Sequence, residues 1–291
     1  MDIPLDISIK IALYLAKPKM KLLDWIDSKK LVWNTLSANP NSIQLLENNL
    51  TKIDWDYLSA NPNGIHLLEA SPDKIDWVSL SANPNGIPLL EANPKQIDWV
   101  NLSANPNGIP LFNLNPGKIN WSYLSANPNG IPLLESNPEQ IDWDYLSSNP
   151  NGIPLLKANP DKINWLLFSA NPNGTSLLEK NIDKIDWYCL SDNPGTIPLL
   201  EKLLPTHFNK IDWYCLSANK NGIHLLTTYP DKISWSYLST NPNGMHLLKS
   251  NYNKIYWHWL SSNPSIFEID KTQLDIDIKN KAKQIDLVIL D

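Results

Sequence analysis

The sequence predicts an all-α protein, a right- or left-handed solenoid of short two-helix units of constant length. Three observations lead to this class. A tryptophan recurs at a fixed interval, a residue type that caps helices precedes nearly every one of these tryptophans, and an Asn-Pro step divides ten of the eleven units. Tryptophan is also over-represented, with 13 Trp against 4 Phe, which indicates that one unit has been copied along the chain.

The tryptophans define the repeat. Eight of them follow one another at a constant spacing of twenty-two positions, namely Trp33, Trp55, Trp77, Trp99, Trp121, Trp143, Trp165 and Trp187. After one longer step, Trp213, Trp235 and Trp257 resume this spacing. Eleven units therefore cover about residues 29–265, with a four-residue insertion near residues 201–210. Units this short stack on their neighbours to bury a continuous core.

The segments on either side of the repeats are predicted to form caps. Residues 1–28 are predicted to form an N-terminal capping helix. Residues 266–291 are predicted to form a C-terminal cap. Each would cover the open core of the terminal unit beside it, as every open solenoid requires.

The first helix of each unit is predicted to begin at the tryptophan. The preceding residue is Asp, Asn or Ser in nine of the units, and these side chains accept hydrogen bonds from the free backbone N–H groups of a helix start. An apolar pair such as Ile53 and Leu58 flanks this cap in the pattern of a hydrophobic staple. Because a tryptophan and the leucine three residues later share a helix face, we expect the tryptophan column to belong to the core.

The second helix of each unit is predicted to follow the Asn-Pro-Asn-Gly turn, with a proline such as Pro88 in its first turn. A leucine-rich-repeat horseshoe is the alternative, since the spacing of Trp55, Leu58, Asn63 and Ile65 follows the template of that family. The third apolar position of that template holds only Ala, Ser, Asp or Thr, which are too small for a strand core. This observation favours the helical solenoid.

Composition and motifs exclude several classes of function. The formal net charge of −6 argues against a nucleic-acid binder that depends on phosphate contacts, and no apolar run is long enough to span a bilayer. The sequence lacks the motifs of known catalytic and cofactor sites, so we expect neither an enzyme nor a cofactor. His66, His224 and His246 share one repeat position, which is too few ligands for a metal site. Cys189 and Cys215 are expected to be reduced and partly buried.

A lysine column lies three residues before most of the tryptophans and two residues before the acidic cap, as at Lys52 and Asp54. A row of lysines can bind phosphates. Because the total charge is negative, we expect these lysines instead to pair locally with the carboxylates on a solvated face.

The position after each tryptophan varies from charged to aromatic, while its neighbours hardly change. This position lies about 100° around the helix from the tryptophan, on the flank of the helix. A cluster of its apolar members, Leu166, Tyr188 and Tyr214, adjoins the insertion near residues 201–210, and these three are the candidate partner-binding residues. The alternative is that these side chains fill gaps between units that stack imperfectly.

The segment from Met1 to Ala16 contains Ile3-Pro4-Leu5-Asp6-Ile7, then Ile11 and Tyr14-Leu15. With these residues it resembles the opening of an F-box, so residues 1–28 are alternatively a partial F-box-like segment. Its residues Asp2, Asp6 and Lys10 are inconsistent with a signal peptide. The resemblance implies docking to the Skp adaptor of a cullin ubiquitin ligase, with the rest of the chain binding the substrate. The alternative for this segment is an amphipathic helix that only caps the first unit. The candidate adaptor-docking residues are Ile3, Pro4, Leu5, Ile7, Ile11 and Leu15.

The unit itself, Leu-Ser-Ala-Asn-Pro-Asn-Gly-Ile together with Ile-Asp-Trp, resembles the tandem-repeat proteins of giant, mimivirus-like viruses of amoebae. Their usual form has Ala where this chain has Gly64, Gly86 or Gly108. The resemblance implies no established activity. We therefore expect a non-enzymatic protein–protein interaction scaffold, viral in origin and acting in the host cytoplasm, that binds neither nucleic acid nor membranes. The alternatives are an F-box-type substrate adaptor and a structural component of a viral particle or fibre.

Overall fold

The computed structural model describes residues 5–16 and 18–290, and within these the side chains of residues 8–16 and 18–285. The described residues form a repeat protein of tandem short helices. The α-helices are α1 (Leu5–Leu15), α2 (Trp33–Ser37), α3 (Ile43–Glu47), α4 (Trp55–Ser59), α5 (Ile65–Glu69), α6 (Trp77–Ala82), α7 (Ile87–Ala92), α8 (Trp99–Ala104), α9 (Ile109–Phe112), α10 (Trp121–Ala126), α11 (Ile131–Ser136), α12 (Trp143–Ser148), α13 (Ile153–Ala158), α14 (Trp165–Ser169), α15 (Thr175–Leu178), α16 (Trp187–Asp192), α17 (Ile197–His207), α18 (Trp213–Ala218), α19 (Ile223–Thr228), α20 (Trp235–Leu238), α21 (Met245–Ser250), α22 (Trp257–Ser262) and α23 (Lys271–Leu290).

Each unit also contains one turn of 3₁₀-helix before its tryptophan. These turns are Ser28–Lys30, Leu50–Lys52, Pro72–Lys74, Pro94–Gln96, Pro116–Lys118, Pro138–Gln140, Pro160–Lys162, Ile182–Lys184, Phe208–Lys210, Pro230–Lys232 and Tyr252–Lys254. Two further 3₁₀ turns, Pro194–Thr196 and Pro264–Ile266, follow the first helices of the eighth and eleventh units. A complete unit is therefore a 3₁₀ turn, a first helix that begins at the tryptophan, and a second helix.

The first helices begin where the capping pattern predicts. The Asp98 carboxylate accepts a hydrogen bond of 2.8 Å from the backbone N–H of Asn101, and Ile97 before it is buried. Leu102 is completely buried, whereas Trp99 is half-buried and packs against the core. The fully buried column is thus the residue three after each tryptophan, which is Phe168 in the seventh unit and leucine in the other ten, and the tryptophans cover it.

A buried asparagine joins each unit to the one before it. The Asn105 side chain donates from Nδ2 to the carbonyl oxygens of Ser81 and Asn83, at 3.0 and 2.9 Å, and its Oδ1 accepts from the backbone N–H of Asn107 at 2.9 Å. Asn105 is 1 % exposed. The same position is a buried asparagine in all eleven units, so the amides form a ladder through the array.

The ladder closes on itself. Asn39 in the first unit donates to the carbonyl oxygens of Ser261 and Asn263 in the last unit, at 3.0 and 2.9 Å. The Val32 backbone N–H donates to Ser261 Oγ at 2.9 Å, which repeats the serine contact between consecutive units elsewhere. Helices α2 and α22 pack on each other as consecutive first helices do. The eleven units therefore form a closed ring.

The two ends of the chain meet beside this seam. Strand β1 (Met20–Leu22) pairs antiparallel with β2 (Phe267–Ile269), with Met20 opposite Ile269. Helix α1 packs against α23, and β1 contacts α3 of the first unit. We call this paired assembly of both ends the clasp.

The prediction of a solenoid of two-helix units with separate capped ends is wrong in its architecture. Each unit has a third helical segment, because the residues before the tryptophan form a 3₁₀ turn that ends in the extended residue before the cap. The ends are not separate, because Asn39 in the first unit hydrogen-bonds to the last unit and β1 pairs with β2. The leucine-rich-repeat alternative is also wrong, since residues 28–266 contain no strand in any unit.

Closure makes a testable prediction at the first unit. Asn39→Ala should destabilise the protein by roughly 1–3 kcal/mol, as much as Asn105→Ala in mid-array. Each change leaves one buried serine carbonyl, that of Ser261 or Ser81, without a donor, whereas the neighbouring asparagine carbonyl keeps its backbone hydrogen bond. Urea unfolding measures both changes. The control is Asn107→Ala, which removes one exposed hydrogen bond to the Pro84 carbonyl and should cost less than about 1 kcal/mol. If Asn39→Ala were as mild as this control, the first and last units would not be joined.

Candidate interaction surface

The three candidate partner-binding residues lie exposed on consecutive first helices. Leu166 on α14, Tyr188 on α16 and Tyr214 on α18 are 53 %, 58 % and 64 % exposed. Side chains that filled gaps between units would be buried. These three residues instead present apolar surface to solvent on one flank of the array.

The exposed apolar surface continues beyond the residues chosen from the sequence. The ring of Tyr214 meets that of Tyr237 edge-on, with 6.0 Å between centroids, and Trp259 is also exposed. Tyr237 and Trp259 occupy the position two residues after the repeat tryptophan, which was not considered as a binding position. We call Tyr188, Tyr214, Tyr237 and Trp259 the aromatic surface.

The insertion between the eighth and ninth units lengthens the second helix. Helix α17 runs over Ile197–His207, and the His207 ring stacks on Trp187 with 5.2 Å between centroids. Asn219 keeps one ladder bond, to the Ser191 carbonyl, where the other ladder asparagines make two. The ladder thus continues across the insertion with one bond fewer.

Both cysteines are free thiols in neighbouring first helices. Burial raises the pKa of Cys189 and of Cys215 to about 11, with the nearby Asp186 carboxylate adding to the effect at Cys189. The interaction with the Cys215 thiol raises the pKa of the Tyr188 hydroxyl. Both thiols are therefore protonated at neutral pH.

The lysine column does not pair mainly with the cap carboxylates. Lys52 Nζ lies 4.5 Å from the centroid of the Trp33 ring in the preceding unit, and Lys254 Nζ lies 4.4 Å from that of Trp235. Across the seam, Lys30 Nζ lies 5.1 Å from the centroid of the ring of Trp257. These are cation–π contacts, and they cover the half-buried tryptophan rings between units.

Two of the histidines that share a repeat position contact glutamates. His66 Nε2 lies 2.8 Å from Glu47 Oε1, and His224 Nε2 lies 2.6 Å from Glu201 Oε1. Among the described side chains, those of residues 8–16 and 18–285, no group of three or more His, Cys, Asp or Glu is arranged to hold a metal ion. Within residues 5–16 and 18–290, no helix has both the length and the apolar composition needed to cross a membrane.

The candidate adaptor-docking residues fall partly outside the described region. Ile3 and Pro4 lie outside the described residues, and Leu5 and Ile7 belong to α1, where only their backbone is described. Ile11 and Leu15 are exposed. The buried Ala12 lies on the same helix, which packs against α23.

The fold and the surface define a class: a closed ring of tandem short-helix repeats with an exposed aromatic surface. A family model described as periplasmic copper-binding protein (NosD) matches residues 91–284, about two thirds of the chain, and the chain therefore belongs to this family. Comparison with curated proteins and with solved structures finds no match.

The family match corrects the predicted fold class. NosD is a β-helix family, so the assignment to the all-α solenoids is overturned. In the described residues, sheet is limited to β1 and β2, and the matched units are helical. What this chain has in common with β-helix proteins is the stacking of short tandem units on their neighbours.

The thiol pKa values predict slow alkylation. At pH 8 the thiolate fraction of a cysteine whose pKa is about 11 is about a hundredfold smaller than that of one at 9.0, so iodoacetamide should react correspondingly slowly with Cys189 and Cys215. The rate should rise about tenfold per pH unit until the pH approaches the raised pKa. Mass spectrometry measures the modification, with the urea-unfolded chain as the control. Equal rates in the native and unfolded chains would contradict the raised pKa values.

Proposed function

We propose that this protein is a non-enzymatic scaffold that binds a protein partner through its aromatic surface. The observation that carries the proposal is the row of exposed rings on consecutive first helices, from Tyr188 to Trp259. Tyrosine and tryptophan are enriched at the centres of protein interfaces, because they supply large contact areas at a small cost in side-chain entropy.

The ring supports this role by holding the surface rigid. The first helices that carry the rings are fixed by ladder bonds and by serine contacts such as that from the Asp98 N–H to Ser81 Oγ, at 3.0 Å. A preformed surface loses little conformational entropy on binding, so more of the contact energy appears as affinity. The same rigidity favours a scaffold over a device that must change shape.

The matched family is described as copper-binding. The donor side chains that the structure describes in this chain do not fit a copper site. Copper takes thiolate, thioether or imidazole ligands. The two thiols are protonated, and His66 and His224 are each engaged with a glutamate. No cluster of donors joins them in the described part of the chain. We therefore propose no copper-dependent role.

Ring closure bears on the alternative of a particle or fibre component. That alternative rests on solenoids that stack end to end, and a polymer of this kind needs free terminal units. Here the first and last units are joined through Asn39, and the clasp covers the seam. The observations thus favour a discrete scaffold. The F-box-type adaptor role, the viral origin and the cytoplasmic location stay predictions.

The test is a triple variant of the candidate residues. Changing Leu166, Tyr188 and Tyr214 together to Ser should abolish capture of the partners that wild-type protein retains from an amoebal lysate. The melting temperature should change little, because more than half of each side chain is already exposed.

The matched control uses the same repeat position elsewhere in the ring. Val78 and Val100 are also exposed apolar residues directly after the repeat tryptophan, and their change to Ser should leave capture intact. Equal loss in both variants, or a large drop in melting temperature of the triple variant, would contradict a binding surface at Leu166, Tyr188 and Tyr214.

A further inference from the structure

Three aromatic side chains and one carboxylate line a single cavity on the ring. The cavity has a volume of about 270 Å³, and Tyr188, Tyr237, Trp259 and Asp192 contribute to its wall together with Cys215. This volume lies just below the range of about 300–1,000 Å³ that is typical of small-molecule pockets. It therefore suits a compact chemical group.

Three of the residues that line this cavity depart from the commonest residue at their repeat position. Asp192 is the last residue of its first helix, where the other ten units have Ala, Ser or Thr. Trp259 is the only tryptophan at its repeat position in the sequence. Cys215 stands where four units have Tyr, and its smaller side chain leaves the space that the cavity occupies. Substitutions at two different repeat positions thus converge on one place.

The electrostatics of the cavity select for positive charge. None of the residues that line it is cationic, and the Asp192 carboxylate has no ion-pair partner among the described residues. Loss of surrounding water raises the pKa of Asp192, an effect that a bound cation would oppose. The faces of Tyr and Trp rings are negative, so they also attract cations.

We propose that this cavity binds a methylated ammonium group, as carried by choline or by a trimethylated lysine side chain. Aromatic rings around a quaternary ammonium supply cation–π attraction, and methyl groups suit an apolar wall. An unmodified lysine ammonium is strongly hydrated and needs three hydrogen-bond acceptors, which a cavity with one carboxylate meets poorly. The site does not depend on the proposed scaffold role, because a small molecule tests it directly.

The test is isothermal titration of the full chain with choline and with 3,3-dimethylbutan-1-ol, a neutral molecule of the same shape. Choline should bind roughly five- to tenfold more tightly than the neutral isostere, which has the same apolar surface but no charge. The same titration is made with two peptides, one that carries a trimethylated lysine and one that carries an unmodified lysine. Tighter binding of the trimethylated peptide would show that the cavity recognises the cation as part of a protein. Binding of either methylated cation over its control supports the site.

Variants locate the binding. Asp192→Ala restores the residue that seven other units have at this position, so it should fold normally and weaken choline binding by roughly fivefold. Trp259→Leu should weaken it to a similar extent while keeping an apolar wall. The control is Tyr145→Leu, an exposed ring at the same repeat position as Trp259 but outside the cavity, which should leave binding unchanged.

Three results would overturn the proposal. They are equal affinity for choline and its neutral isostere, equal weakening by Tyr145→Leu and Trp259→Leu, and no binding of either methylated cation at millimolar concentration. Protein capture that persists in the Asp192→Ala variant without choline binding would show that the scaffold role and the cation site are separate properties.

Discussion

The buried asparagine amide is the interaction on which the rest of the structure depends. Ten of the eleven first helices end at an Asn-Pro step, and proline has no N–H to donate to the last carbonyl groups of the helix. The amide of the next unit's asparagine provides two N–H donors for these carbonyls, as Asn105 does for Ser81 and Asn83. The Asn83 carbonyl also accepts from the Gly86 backbone N–H at 2.9 Å, so it is the Ser81 carbonyl that depends on the amide. Because this carbonyl is buried, leaving it unpaired would cost more than a single hydrogen bond contributes.

This requirement explains why the chain closes. In an open array, the first unit would have an asparagine amide without an acceptor, and the last unit would have the buried Ser261 carbonyl without a donor. Contact between Asn39 and the last unit removes both defects at once. The clasp, formed by residues outside the repeat, replaces the second helix of the eleventh unit and holds the two ends beside the seam.

The local features of the unit follow from the sequence, and the closure does not. The capping role of Asp98 and the burial of Ile97 and Leu102 can be predicted from residue type and spacing, because capping and staple contacts are local. Closure depends on a small rotation per unit that accumulates over eleven units, and no single residue records it. The need for glycine at position 86 was also not evident from the sequence. A Cβ on Gly86 would lie 2.6 Å from the Leu80 carbonyl oxygen, a close approach that only the packed unit shows. The β-helix fold of the matched family was likewise not evident from residue patterns.

The candidate surface was partly predictable for a related reason. Leu166, Tyr188 and Tyr214 stand out because they vary along one repeat position. Asp192, Tyr237 and Trp259 occupy other positions, and only the stacking of units eight to eleven brings them together. A column-by-column search for unusual residues would have found Asp192 and Trp259, but it would not have shown that they share a cavity.

A distance measurement between the first and last units tests ring closure most directly. Spin labels at residues 34 and 258, in a chain without native cysteines, report this distance by dipolar broadening of the continuous-wave electron paramagnetic resonance spectrum, and labels at residues 122 and 144 provide the reference for consecutive units. Closure predicts the same short distance for both pairs, because residues 34 and 258 occupy equivalent positions in units that are neighbours across the seam. A distance for 34 and 258 far longer than the reference would show an open array and contradict the account.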